Sequence, residues 1–295
     1  LLRETGLPLD PYFAAAKMSW LSSRVDTAPG GDVVITTLDA YVNHRLAGAY
    51  ATDLSTASRT QLLDAEHLEW SERAAGIFGL TTADLPDLVA CDSMLGVTTA
   101  FGTPLPVAGA MVDQQAALFA QGCTEPGDAK CTYGTGAFLL ANIGTRHTPS
   151  TSGLATSLAW AMRDGSRASC VDGQVYSAGA AVTWLQRVGL ITSPDELDAL
   201  ASSVADSDSV TFSPAFSGRG APVWDSAARA EISGLSLSTR REHIVRALLE
   251  GIADEVTALS RAVEADLGAP LSALRVDGGL TRSSVLMQVQ ADRLG

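Results

Sequence analysis

The sequence has few charged residues, few aromatic residues and few cysteines. Charged residues make up 18% of the 295 residues and aromatic residues 6%, whereas 46% are hydrophobic, which supports a packed core and argues against disorder. No pair of cysteines has the Cys-x-x-Cys spacing of a metal or redox site, and the histidines are scattered. We therefore expect no metal site built from protein side chains, and four buried free thiols.

The sequence also lacks a long apolar run and an excess of positive charge. No stretch approaches the length of a membrane span, and residues 1–6 do not have the pattern of a signal peptide, so we expect a cytoplasmic protein. A net charge of −13 repels nucleic acid backbones and acidic lipid, so we expect neither nucleic acid nor a membrane as a partner. Acidity does not exclude a nucleotide, because backbone N–H groups and Mg²⁺ can hold a triphosphate.

Length and turn signals predict two domains. A chain of 295 residues is long enough for two compact domains. The turn-like residues 122–127 indicate the boundary, which gives domains of residues 1–124 and 125–295. The second half mixes hairpins, helices and a strand, which is typical of an α/β domain with antiparallel strands. The first half has a weaker pattern, and residues 32–46 mix strand and helix signals.

Particular elements follow from capping and turn residues. Ser193 with Glu196, and Thr239 with Glu242, have the spacing of capping boxes, and Gly268 is placed to end the second of these helices. The predicted strands are residues 130–133, 137–143, 157–163, 168–171 and 273–277, and the predicted helices begin near residues 177, 193 and 239.

Three glycine-marked turns allow close approach of a ligand. Gly134-Thr135-Gly136 either binds a phosphate through its backbone and the Thr hydroxyl or is a simple hairpin turn. Gly278-Gly279 ends a strand and opens a helix, which points N–H groups at an anion, but two glycines are much less specific than a full phosphate-binding motif. Ala178-Gly179 begins a helix without bulky side chains, which receives either a purine or a neighbouring helix. The residues alone leave these alternatives open.

Asp113 lies where the apolar run of residues 107–112 ends and a helix begins. An aspartate at the end of a strand and the start of a helix is usually an N-cap. The same position is also a common place for a catalytic carboxylate, at the mouth between domains. Composition and spacing do not decide between the two roles.

Several segments together resemble the FGGY carbohydrate kinases over almost the whole chain. Their joint order and spacing, more than any one segment, make a chance match implausible. Asp10-Pro11-Tyr12-Phe13 points to the branch of the family that phosphorylates glycerol. The segments that resemble the family are residues 5–13, 52–60, 109–119, 129–139, 214–224, 234–250 and 274–279.

The resemblance implies an α/β, two-domain actin-like ATPase fold of the ribonuclease H type, incomplete at its N- and C-termini. It implies transfer of phosphate from ATP, with Mg²⁺ bridging the phosphates, to a small polyol, with glycerol favoured. Asp113 would be the general base. Homo-oligomers, either dimers or tetramers, are common in the family. Roles carried over by position make Tyr12, Asp113, Gln114 and Phe138 substrate contacts, and Gly134, Thr135, Gly179, Thr183, Gly279 and Ser283 nucleotide contacts.

The sequence also departs from the family. Ala14, Thr183 and Ser283 stand where Ser, Gln and Asn are expected, and the last two keep some hydrogen-bonding capacity. The family's first phosphate hairpin, its glycerol-binding Arg-Glu pair and its last Ala- and Gly-rich helix are not among these 295 residues, so we expect the chain alone to have little kinase activity. Two alternatives stay open: a kinase for another polyol or a ketose, and a catalytically silent actin-like protein that holds nucleotide or partner subunits.

Overall fold

The computed structural model describes residues 1–25 and 34–295. Residues 32 and 33 of the mixed stretch 32–46 lie outside the described residues, and the rest of that stretch contains a helix and no strand. The chain divides into two compact units. The first consists of Leu1–Pro126, Asn142–Ser150 and Ala155–Val171, and the second of Gly127–Ala141, Thr151–Leu154 and Asp172–Gly295.

The described chain contains both helices and strands throughout its length. The helices within these residues are α1 Leu2–Thr5, α2 Ala14–Ser22, α3 Leu38–Ala47, α4 Leu54–Ala57, α5 Glu72–Ile77, α6 Asp113–Ala120, α7 Gly179–Arg187, α8 Leu197–Ser202, α9 Arg241–Leu267 and α10 Ser284–Leu294. The strands are β1 Ala51–Asp53, β2 Leu63–Asp64, β3 Glu69–Trp70, β4 Asp87–Val89, β5 Gly96–Thr98, β6 Leu105–Val107, β7 Ala129–Tyr133, β8 Ala137–Gly144, β9 Ala155–Ala161, β10 Arg167–Val175, β11 Thr211–Ser213, β12 Glu231–Ser233 and β13 Leu274–Asp277.

The core of the first unit includes a cluster around α4. Leu54 and Ala57 of this helix are buried together with Leu63, Leu158 and Ala161. A helix of four residues is far too short to be stable by itself, so its position depends on this packing. Beside it, β1 pairs with β4 in parallel, whereas β2 pairs with β3 and β5 with β6 in antiparallel fashion.

The second unit is built on a mixed sheet with the strand order β13-β7-β8-β10. β7 runs antiparallel to β8 and parallel to β13, which confirms both the predicted strand pair around residues 134–136 and the predicted strand before Gly278. The part of β10 up to Val171 belongs to the first unit, as does its neighbour β9. These two strands confirm the predicted hairpin at Asp164-Gly165, where Gly165 has a φ of 86°.

The helix α9 confirms the predicted apolar stripe and begins close to Thr239, as predicted. Leu248, Ile252 and Val256 are buried, and Gly268 ends the helix with a φ of 68°. The helix begins at Arg241, and its N-cap residue Arg240 donates its N–H to Nδ1 of His243 at 3.1 Å.

Both predicted capping boxes are wrong in their partners. Thr239 lies before the N-cap of α9 and accepts a hydrogen bond from the N–H of Ser236 at 2.8 Å, so it does not pair with Glu242. Ser193 does cap a helical turn as predicted, since its hydroxyl accepts from the N–H of Asp195 at 3.2 Å, and α8 follows this turn. Glu196 does not complete the box, because it accepts from the N–H of Thr192 at 3.0 Å. In each case a neighbouring N–H competes successfully for the side chain that the spacing assigns to the box.

The apolar run of residues 107–112 is not a continuous strand. β6 ends at Val107, and residues 108–112 are neither helix nor strand. The predicted junction of strand and helix is therefore wrong on the strand side, although α6 does begin at Asp113. The N–H groups of Ala110 and Val112 donate to the carbonyl of Cys91 and to the hydroxyl of Ser55 instead of to a neighbouring strand.

The four cysteines are buried and free, as predicted. Burial raises the pKa of Cys91 to about 11 and that of Cys131 to about 12, so neither thiol is reactive at neutral pH. No helix within residues 1–25 and 34–295 is long and apolar enough to cross a membrane. Across the same residues, no three His, Cys, Asp or Glu side chains come together as a metal site.

We expect His147 to make the folded state less stable below neutral pH. Both ring nitrogens are buried and, within the described residues, neither has a hydrogen-bond partner. The pKa of this imidazole is lowered, mainly because the ring is buried. The charges of Asp64 and Glu66 raise the pKa, and that of Arg167 lowers it, but burial outweighs them. As the pH falls below about 6.5, the unfolded chain therefore binds the proton first, and the free energy of unfolding decreases.

Urea titrations between pH 8 and pH 5 measure this effect of His147. The His147→Phe variant removes the titrating group and should lose this part of the pH dependence. The idea fails if the wild type and the variant lose stability in parallel across this range.

Candidate functional site

Asp113 lies on the surface of the first unit as the first residue of α6. Its side chain is exposed, and its Oδ1 accepts a hydrogen bond from the N–H of Gln114 at 2.7 Å. The N-cap residue is Val112, with φ −64° and ψ 142°, so Asp113 does not have the capping role that is usual at such a position. An exposed carboxylate is free to approach a ligand hydroxyl and to accept its proton.

The opposite face of α6 fixes the helix in the first unit. Gln115 is 1% exposed, and its Nε2 donates to Oγ of Ser157 in β9 at 3.2 Å. Leu118 is fully buried, and the ring of Phe119 packs edge-on against Trp160 with 5.3 Å between the centroids. With Gln115 and Leu118 buried, α6 holds Asp113 at its exposed N-terminus.

Tyr12 lies in a turn of the first unit and is 40% exposed. Asp10 sets the turn, because its Oδ1 accepts from the N–H of Tyr12 at 2.7 Å. Lys17 closes it from the other side by donating to the carbonyl oxygens of Tyr12 and Phe13 at 2.6 and 3.0 Å. The ring of Phe13 is buried and packs edge-on against Tyr12. The phenol is thus presented at the surface by a turn that is fixed at both ends.

The predicted substrate contacts are divided between the units. Tyr12, Asp113 and Gln114 belong to the first unit, and Gln114 is half-buried next to Asp113. Phe138 belongs to the second unit, where it is half-buried on β8 opposite Thr132 of β7.

Two of the glycine-marked segments are joined through their backbones in the second unit. The N–H of Gly179 donates to the carbonyl of Gly134, and the N–H groups of Ala178 and Ala180 donate to the carbonyl of Thr135, each at 3.0 Å. A Cβ atom at position 179 would lie 2.6 Å from the oxygen of Gly134. Close packing of α7 on the turn therefore requires glycine here, and the exposed Thr135 is held at the tip of that turn.

The third glycine-marked segment meets the same turn. Gly278 has a φ of 96°, and a Cβ there would collide with the carbonyl group of Tyr133, the last residue of β7. The hydroxyl of Tyr133 donates to Oε1 of Gln290 in α10 at 2.7 Å, which ties the end of β7 to the helix after the Gly-Gly turn. A Cβ at Gly279 would meet no heavy atom within 4 Å, so the surface beside this residue is open.

The two remaining predicted nucleotide contacts differ in their surroundings. Thr183 is exposed one turn after Gly179, and its hydroxyl donates to the carbonyl of Gly179 at 3.1 Å. Ser283 is 7% exposed, accepts from the N–H of Leu286 at 3.1 Å as the N-cap of α10, and donates to Asp198. These bonds give Ser283 a structural role, and its contact with a nucleotide stays a prediction.

The second unit thus gathers open backbone and hydroxyl groups at the end of β7. Glycine backbone with the exposed hydroxyls of Thr135 and Thr183 suits a flat ligand that carries phosphates. Because the described residues contain no cluster of metal-ligating side chains, a divalent ion would take most of its ligands from phosphates and water. Mg²⁺ binds in this way at many phosphate sites, so the residues present are compatible with Mg²⁺ that arrives with a nucleotide.

A further carboxylate, to which the sequence pattern assigns no role, is linked to the segment before α6 through Ser55. Asp53 is fully buried and caps α4, accepting from the N–H groups of Ser55 and Thr56. Burial raises its pKa, while the hydrogen bonds from these two residues lower it. Aspartate is one of the residues preferred at an N-cap, so the sequence is compatible with this cap. Its relation to the segment before Asp113 depends on tertiary contacts that spacing does not reveal.

Comparison with known families matches both halves of the chain. Residues 1–120 match the N-terminal domain, and residues 129–295 the C-terminal domain, of the FGGY family of carbohydrate kinases. A glycerol kinase of Geobacter sp. (strain M21) is 44% identical over 305 aligned positions, which include the whole of this chain and 61% of the relative. The chain therefore spans about 60% of the length of the curated relatives that it matches.

Solved structures agree with this match. A crystal structure of Plasmodium falciparum glycerol kinase with ADP superposes with a TM-score of 0.87 at 35% identity, covering 98% of this chain and 60% of the other. A xylulose kinase from Rhodospirillum rubrum has a TM-score of 0.80 at 25% identity, covering 99% of this chain and 60% of the other. These likenesses confirm the predicted actin-like α/β fold.

Proposed function

Because the chain belongs to the FGGY family of carbohydrate kinases, we propose that it acts in the transfer of the γ-phosphate of ATP to glycerol, giving glycerol 3-phosphate. The observation that carries this proposal is the 44% identity to a glycerol kinase along the whole chain. The 25% identity to a xylulose kinase is markedly lower and makes a ketose the second choice of substrate.

Asp113 is the proposed general base. Its exposed carboxylate would accept the proton of the glycerol hydroxyl as that oxygen attacks phosphorus. Tyr12 and Gln114 would hydrogen-bond the other hydroxyl groups, and the half-buried Phe138 would cover the carbon atoms of the polyol. Precise placement of the nucleophile accounts for much of the rate in phosphoryl transfer, so these contacts would act mainly by orienting glycerol.

The glycine-marked segments of the second unit are the proposed nucleotide site. Gly134 and Thr135 would contact the γ-phosphate, with N–H and hydroxyl groups as donors. Gly179 and Gly279 would lie against the nucleotide, and Thr183 and Ser283 are the proposed polar contacts beside it. Mg²⁺ bound with the nucleotide would neutralise charge on the phosphates.

The assay for this function measures ADP released by the full-length gene product with ATP and glycerol. We expect glycerol-dependent release, and slower release when xylulose replaces glycerol. A preference for the ketose would favour the alternative kinase, and nucleotide binding without any release would favour a silent actin-like protein. The 295-residue chain assayed alone should release little ADP, because it spans about 60% of its relatives.

Location and assembly are further parts of the proposal. A cytoplasmic location is supported by the four buried free thiols, which suit a reducing compartment. A homodimer or homotetramer follows from the family resemblance, and light scattering of the purified protein would measure it.

A further inference from the structure

The segment immediately before Asp113 is held at two points. Residues 108–112 are neither helix nor strand, so no ladder of backbone hydrogen bonds fixes them. At one point the N–H of Ala110 donates to the carbonyl of Cys91 at 3.0 Å. At the other point the N–H of Val112 donates to Oγ of Ser55 at 3.0 Å. Val112 is the N-cap of α6, so the second bond lies one residue from Asp113.

Both points lead to the same buried carboxylate, that of Asp53. The hydroxyl of Ser55 accepts from Val112 and donates onward to Oδ1 of Asp53. The thiol of Cys91, whose carbonyl holds Ala110, also donates to Oδ1 of Asp53, at 3.5 Å. A hydroxyl that accepts one hydrogen bond and donates another has a fixed orientation, and chains of such bonds strengthen one another in a buried environment.

The other partners of Asp53 are donors as well. The N–H groups of Ser55 and Thr56 lie 2.8 and 3.2 Å from Oδ1, and the hydroxyl of Thr56 lies 2.5 Å from Oδ2. A carboxylate, which only accepts when ionised, satisfies all of them, whereas an amide would turn an N–H₂ group towards donors. The cap of α4 alone needs only the two N–H groups, so the bonds towards Ser55 Oγ and Cys91 go beyond helix capping.

We propose that Asp53 and Ser55 are positioning residues for the reaction, which hold the backbone before Asp113 and thereby aim its carboxylate. The proposal rests on the proposed function, in which Asp113 is the general base. The burial of Gln115 and Leu118 fixes the body of α6, and the bond from Val112 to Ser55 fixes its N-terminal end. Without that bond, Asp113 would be free to shift relative to the glycerol hydroxyl from which it accepts the proton.

The structure offers a matched pair of variants for the test. Ser55 and Thr56 both donate a hydroxyl to Asp53, but within the described residues only Ser55 also binds the segment before Asp113. We expect Ser55→Ala to lower kcat about tenfold or more, because small displacements of a reacting group cost up to about 100-fold in rate. The KM for ATP should stay unchanged, since the proposed nucleotide contacts belong to the second unit.

Thr56→Val should keep kcat within about twofold of wild type. Equal losses of kcat in the two variants would overturn the proposal.

A double-mutant cycle separates positioning from a general loss of stability. If Ser55 acts through Asp113, then Ser55→Ala should change the residual kcat of the Asp113→Asn variant by less than about twofold. If Ser55→Ala lowers kcat tenfold in the Asp113→Asn variant as well, the proposal is overturned. If Asp113→Asn itself retains normal turnover, the proposed function has failed at its base assignment, and that result is distinct from a failure of Ser55 alone.

Hydrogen exchange tests the contact without any activity. The amide of Val112 should exchange at least tenfold faster in Ser55→Ala than in Thr56→Val, because only the first variant removes its acceptor. Ser55→Cys, which keeps the volume and replaces the hydroxyl by a weak acceptor, serves if the alanine variant does not fold. Unchanged protection of Val112 in the Ser55 variant that folds would refute the anchoring of this segment.

Discussion

Replacing Asp113 by asparagine is expected to lower the kcat of glycerol phosphorylation by about 10²–10⁴-fold, the range typical for loss of general acid–base catalysis. The asparagine is nearly isosteric and fits the exposed start of α6, but its amide cannot accept the proton of the attacking hydroxyl. Nucleotide affinity should stay within about twofold, because the proposed nucleotide contacts belong to the other unit. Steady-state kinetics together with calorimetric titration of an ATP analogue would measure both quantities.

Glu72→Gln is the matched control for this substitution. Glu72 is also an exposed acid at the first position of a helix in the first unit, so the two variants lose the same charge near a helix N-terminus. Each should lose about 0.3–1 kcal/mol of stability from that effect. Only Asp113→Asn should lose turnover. A kcat within a factor of three of wild type for Asp113→Asn would refute its assignment as the base.

The sequence predicts several regular elements of the chain well, because their signals are local. The strand pair around Gly134, the hairpin at Gly165 and the end of α9 at Gly268 each depend on residues adjacent in the chain, and each is confirmed. Capping partners are predicted less well, since several nearby N–H groups compete for the same side-chain acceptor. Glu196 shows this competition, because it binds Thr192 and not the residue that a capping box requires.

The relations between distant segments are the part that the sequence alone does not supply. The glycines at 134, 179 and 278 were each ambiguous as isolated turns, and their meaning comes from the backbone contacts that join them at the end of β7. Those contacts link residues far apart in the chain, so no periodicity records them. The family resemblance supplies roles for these glycines, but it supplied none for Asp53, which is linked through Ser55 to the backbone before Asp113.

The second large effect is expected from Gly179→Ala, which should weaken ATP binding by up to about 100-fold. Gly179 does not have a positive φ, so alanine is compatible with its backbone conformation. The added Cβ would nevertheless lie 2.6 Å from the carbonyl oxygen of Gly134, and that atom belongs to the backbone and cannot rotate away. Relief requires α7 to move off the turn that carries Thr135. Overpacking of this kind costs about 1–3 kcal/mol, and each 1.4 kcal/mol corresponds to about tenfold in affinity.

Gly76→Ala controls for the general effect of replacing a helical glycine. A Cβ at Gly76, in α5 of the first unit, would meet no heavy atom within 4 Å, so this variant should be as stable as wild type or gain about 0.4–1 kcal/mol. ATP affinity measured for both variants by calorimetry separates packing from helix propensity. If Gly179→Ala binds ATP as tightly as Gly76→Ala does, then the contact between α7 and the turn does not shape the nucleotide site. In that case the contact between Gly179 and Gly134 would serve only the packing of the second unit. Moving the turn that carries Thr135 would then have left the affinity for ATP unchanged.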